Sequence, residues 1–164
     1  MRKVEFVPLV LTEKSDVYSI RIDEEKNTEF RKFVVLFKDS EDAFLKDDFD
    51  RILAAIEKIA QNGALESYFR FEGGIKDRVC AIPLLIKPRD KTKHGTLRLY
   101  GIRISETLLI IGGGGLKVTD KYEDTPLLQE HVSRLQTIDS ELRKLEDEGM
   151  PLEDSIMNIT IQID

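Results

Sequence analysis

The chain has 164 residues and a mass of 18.8 kDa, with 41% apolar and 34% charged residues. It is long enough to bury a core without disulfide or metal staples, and too apolar for disorder. With 31 acids against 25 Lys+Arg its formal charge is −6, which excludes a uniformly basic nucleic-acid binder.

No apolar run approaches the roughly 20 residues of a membrane-spanning helix. The opening Met1-Arg2-Lys3-Val4-Glu5, with charges recurring at Glu13, Lys14 and Asp16, lacks a signal peptide's apolar core. Cys80 stands alone, which excludes a disulfide framework and a thiolate zinc cluster. A cytoplasmic protein is expected.

Residues 6–11 form an apolar run that Pro8 restricts to an edge position if it is a strand. Tyr18 to Ile22 alternates and predicts a strand. Asn27 is a candidate N-cap, followed by Phe30, Phe33, Val34 and Phe37 at helical spacing. A second helix is expected from a cap at Asp47 or Asp48, through the stripe Phe49, Ile52, Leu53, Ile56 and Ile59, to Asn62-Gly63.

From there the pattern turns extended. Tyr68 to Phe71 predicts a short strand ended by Gly73-Gly74, and Val79 to Ile86 a strand interrupted by Pro83. Residues 87–95 read as a basic loop. Thr96 to Ile104 and Thr107 to Ile111 predict a hairpin about Ser105-Glu106, its second arm closed by Gly112 to Gly115. Thr125 caps a third helix with Pro126 at its first position, and Leu128, Val132, Leu135, Ile138, Leu142 and Leu145 form its seam. Gly149 and Pro151 stop it, and Ile159 to Ile163 alternates as a terminal strand. The order of elements gives one α+β domain over residues 1–164, with 1–15 as an N-terminal extension and 150–164 as a C-terminal strand extension.

The charge is unevenly divided. Residues 1–69 carry a net −4, residues 70–121 a net +6, and residues 122–164 a net −8. A basic segment between acidic flanks suits either an anion-binding surface or a lysine-guarded sheet edge.

The four glycines do not make a phosphate loop, because Leu116 stands where the second P-loop glycine is needed. They suit a bulge, a sharp bend or the close approach of another backbone. Cys80, His94 and His131 have no metal-ligand spacing, so no metal and no cofactor is expected. His131 falls beside the apolar seam and reads as a boundary residue. On the hairpin, alternation places Arg98, Tyr100 and Ile102 on one face and Leu97, Leu99 and Arg103 on the other. An Arg beside a Tyr on a strand suits a phosphate and a stacked base, with Lys87, Arg89, Lys91, Lys93 and Lys121 as further RNA-binding cations. Ordinary half-exposed strand positions would give the same pattern.

The stretch Leu97-Arg98-Leu99-Tyr100, the hairpin, Leu108 to Gly112, Leu116-Lys117 and Asp124-Thr125-Pro126 resembles the RelE/HigB-type toxins of bacterial toxin–antitoxin modules. The residue-level resemblance covers 97–126. It implies a RelE/ParE-like fold: a strand, two helices, an antiparallel sheet of about four to five strands, a C-terminal helix and here a terminal strand. It also implies a ribosome-dependent mRNA endoribonuclease neutralised by a helix-turn-helix antitoxin. Cleavage by the ribose 2′-OH needs a base, a positive group for the phosphorane and an acid. By position, the resemblance makes Arg98 the phosphate-stabilising charge and Tyr100 the stacking or proton-transfer group, with Arg103 and Lys117 as supporting cations. The alternative is a non-catalytic interaction module that pairs through the Leu128–Leu145 helix or the terminal strand with a partner or a second copy, giving a homodimer.

Overall fold

Alternating and helical stretches of the sequence assemble around one mixed sheet. In the computed structural model, residues 1–71, 77–83, 96–117 and 125–164 are described. The elements in chain order are β1 (Arg2–Leu11), β2 (Asp16–Ile22), α1 (Glu29–Phe37), α2 (Ala43–Asn62), β3 (Arg70–Phe71) and β4 (Val79–Ala81). They continue with β5 (Thr96–Ser105), β6 (Leu108–Lys117), α3 (Pro126–Asp147), α4 (Leu152–Ser155) and β7 (Thr160–Ile163). The strand order is β3-β4-β5-β6-β2-β1-β7. All neighbours are antiparallel except β2 and β6, which run parallel.

The fold is α+β, as expected, and among the described residues the sheet has seven strands, the expected terminal strand β7 among them. Residues 2–11 form β1, hydrogen-bonded between β2 and β7. Pro8 lies where β1 has a strand on one side only, since β7 pairs with Arg2–Glu5. That placement suits a residue without an N–H.

Each face of the sheet carries its own core. On one, Tyr18, Ile20, Tyr100, Ile102, Leu108 and Ile110 meet the α3 seam of Leu128, Val132, Leu135, Ile138 and Leu142. Those five seam residues are at most 1% exposed, and each contributes roughly 1.5–3 kcal/mol by leaving water. The seam is therefore spent on the sheet. On the other face, Val17, Leu97, Leu99, Leu109 and Ile111 lie under α1 and α2, against Phe33, Phe49, Ile52 and Ile59.

Both caps on this second face differ from expectation by local chemistry. Thr28, not Asn27, caps α1, its hydroxyl accepting from the Arg31 amide at 3.1 Å. Asp42 caps α2, accepting from the Phe44 and Leu45 amides at 2.8 and 3.3 Å. Asp47 lies a turn inside, paired with Arg51. Asp48 is fully buried and its Oδ2 accepts from the Leu97 amide at 3.1 Å, tying α2 to β5.

The four glycines do not end the second arm of the hairpin. β6 runs through them to Lys117. Gly114 pairs with Leu99 and Ile111 with Gly101, so Gly112 and Gly113 together oppose Tyr100 in a bulge. A Cβ at Gly112 would lie 2.8 Å from Leu135, and one at Gly113 2.5 Å from the His131 ring. At Gly114 it would lie 2.0 Å from the Arg98 carbonyl oxygen. Substituting Gly114 by Ala should thus cost about 3 kcal/mol or more in urea denaturation, because backbone must move. Gly115→Ala, whose Cβ would meet Leu128 at an ordinary 3.4 Å, should stay within about 1 kcal/mol of the wild type. Equal losses at the two positions would refute this account of the strand.

Candidate functional site

Cross-strand register decides which predicted site residues meet. Arg98 opposes Gly115 and Thr96 opposes Lys117, so Arg98 and Lys117 stand diagonally on one face at one end of the β5–β6 pair. That face is the α3 side, where a Cβ at Gly115 would touch Leu128 and Leu127 of the first helical turn. Arg98 is half-buried, its guanidinium donating to the Leu97 carbonyl at 3.4 Å, and Lys117 is buried at 7% exposure.

The other two do not join them. Tyr100 shares the face of Arg98, as alternation requires, but α3 crosses above it and leaves it 0% exposed. A stacking platform must face the ligand, so Tyr100 is a core residue here and not a surface group. Arg103 is on the opposite face and donates to the Ala64 carbonyl at 2.6 Å, holding the chain just after α2. Lys87, Arg89, Lys91, Lys93 and Lys121, with His94, lie outside the described residues. Cys80 is a buried residue of β4. Among the described residues no His, Cys, Asp or Glu group is placed to hold a metal ion, and no helix is long and apolar enough to cross a membrane.

A second constellation was not legible in the sequence. The parallel strands β2 and β6 pair only from Asp16/Leu108 to Ser19/Ile111. Past that point they separate, and the Ser19 hydroxyl closes the fork, donating to the Ile111 carbonyl at 2.9 Å and accepting from the Phe30 amide at 3.2 Å. Beyond it lies a crevice of about 270 Å³ between α1 and α3, with Gly113 and Gly114 in its wall.

Charges line this crevice in a ladder. Glu29, 4% exposed, takes Arg134 of α3 at 2.8 Å on one oxygen and Lys32 at 2.8 Å on the other. Lys32 also meets Glu25 at 2.6 Å, and Arg134 reaches Glu130 at 3.4 Å. His131 lies half-buried among them, its ring over Gly113. The signal in the sequence was present but divided: Glu29 stands 105 residues before Arg134, and only the split sheet brings them together.

Burial pushes the His131 pKa down, as do the Arg134 and Lys32 charges, while Glu29 and Glu130 oppose them. Comparison with protein-family models, curated proteins and solved structures gives no match.

The lowered value fixes a pH dependence. The folded chain holds this proton less readily than the unfolded one, so unfolding takes up a proton as pH falls through about 6.5. Stability should accordingly be greater at pH 7.5 than at pH 5.5 in urea denaturation, and His131→Leu should flatten that difference. An unchanged slope in the variant would assign it to other groups.

Proposed function

We propose that the chain is a toxin-like protein of a toxin–antitoxin module that engages mRNA on the ribosome, with half-buried Arg98 toward the RNA backbone and buried Lys117 adding positive charge beneath it. The observation that carries the reading is the cross-strand placement of those two cations on one face at one sheet end. Both lie within the stretch that resembles RelE/HigB-type toxins. An Arg fork and a Lys point charge suit a phosphate, and in 2′-OH attack the same charges would stabilise the phosphorane. Support comes also from the first turn of α3 beside Gly115, where the helix dipole favours an anion.

The burial of Tyr100 moves any proton-transfer role away from that side chain. A base and an acid must then come from elsewhere, and the RNA-binding part of the reading does not depend on them.

Induction in a bacterium tests it. Wild-type protein should arrest growth and deplete mRNA, and Arg98→Ala should relieve the arrest at equal protein level. Undisturbed growth with intact mRNA under wild-type induction would overturn the reading.

The second reading, a non-catalytic interaction module, rests on β7. Among the described residues this strand ends the sheet order and pairs with β1 alone. Lys3 directs its amide to Asp23 and its carbonyl to the Asp23 amide, away from β7. Gln162, opposite Lys3, therefore turns its own backbone groups to the outer edge. The sequence 159–163 has no charge to guard that edge. If it joins a second copy, sedimentation should show a dimer that Gln162→Pro converts to a folded monomer, since that amide makes no bond to β1. A wild-type monomer would refute pairing of this kind.

A further inference from the structure

Adjacent parallel strands whose chains leave to opposite faces open a crevice outside their carboxyl ends, and open sheets bind ligands there. β2 and β6 are such a pair: β2 is followed by α1 on one face, and the next described helix after β6 is α3 on the other. The geometry points to a site for one heterocyclic base in this crevice, between Leu36 and Leu127, with His131 and Arg134 as stacking surfaces and Glu29 as a hydrogen-bond acceptor.

Charge selects the ligand class. Arg2, Lys32 and Arg134 are balanced by Glu25, Glu29 and Glu130, and most of these charges contact one another. A free phosphate would find no net positive field and three repelling carboxylates. A zwitterion would have to displace existing ion pairs. A neutral planar heterocycle needs neither. It stacks on imidazole or guanidinium planes, and it donates N–H groups to carboxylate lone pairs beyond the two that Arg134 and Lys32 use on Glu29.

Space and backbone agree with that choice. About 270 Å³ accommodates a base but not a folded oligonucleotide. Past Ile111, β6 has no strand partner on its β2 side among the described residues, so the Gly113–Gly114 wall can offer peptide groups to a base edge. Leu36 and Leu127, 68% and 52% exposed, flank the mouth as apolar surface for a ring to cover.

The inference goes beyond the RNA reading, because the same base chemistry is offered by a free nucleoside and by a single strand. Calorimetric titration of the full chain with guanosine, adenosine, cytidine, uridine and a short single-stranded oligoribonucleotide separates the two sources. Saturable binding of at least one is expected. It should weaken about tenfold in His131→Leu and about threefold in Leu127→Ala. Leu127 is exposed, so that variant keeps the test valid if His131→Leu fails to fold. Nucleoside binding should be unchanged in Arg98→Ala and by added inorganic phosphate.

Capture of a nucleoside assigns the free source, and capture of the oligonucleotide alone assigns the strand, each only when Leu127→Ala weakens it. Absence of saturable binding to all five ligands, or binding untouched by the crevice substitutions, overturns the site. Oligonucleotide binding lost in Arg98→Ala but intact in the crevice variants would leave the RNA reading standing and this site refuted.

Discussion

Everything near the candidate site depends on how closely β6 is hemmed in. It is paired to β5 along its length and to β2 up to Ile111, with α1 packed on one face and α3 on the other. A strand in that position has no room for side chains where its bulge turns two successive residues toward α3. Glycine at 112 and 113 lets Leu135 and His131 come down onto the backbone, and glycine at 114 lets β5 approach. The cost is a stretch of strand without packing side chains, offset by the aliphatic seam of the helix above it. The same crowding explains the fork: once β6 bends at the bulge it leaves β2, and Ser19 supplies the last bond between them.

The charge division along the sequence has a comparable structural answer. The basic segment 70–121 and the acidic segment 122–164 fold onto each other. Arg78 lies between Asp139, 1% exposed, at 2.7 Å and Glu146 at 2.8 Å, while its amide donates to the same Asp139. Removing one member of such a buried pair is far costlier than the pair is stabilising. Part of the +6 is thus internal complementarity, and Arg103 is likewise engaged with the Ala64 carbonyl. A regional net charge counts cations without asking which already have a partner inside the fold.

How much was legible follows from the range of the interactions involved. Local periodicity found α2, α3 and β7, because their apolar positions recur within one or two turns or residues. Alternation also placed Arg98 and Tyr100 on one face correctly. It could not say that α3 covers one and ends near the other, since that depends on a helix more than twenty residues away. The glycine run looked like a terminator because turns are its commonest setting; its place inside a strand is set by neighbours on four sides. His131, Glu29 and Arg134 were invisible as a group for the same reason. Pro126 at the start of α3, by contrast, is a local rule and was readable at once.

The two candidate regions are neighbours along a single strand. Arg98 stands across from Gly115, and the crevice wall is Gly113–Gly114, so along β6 the two lie one to two residues apart. The two regions also divide the chemistry in a way one pocket could not. An anion site needs an excess of cations, whereas a base pocket is better neutral, and the carboxylates of Glu29 and Glu130 would defeat the first purpose while serving the second. The glycine strand separates them: it presents bare backbone to the crevice and, one residue further, a flat floor opposite Arg98.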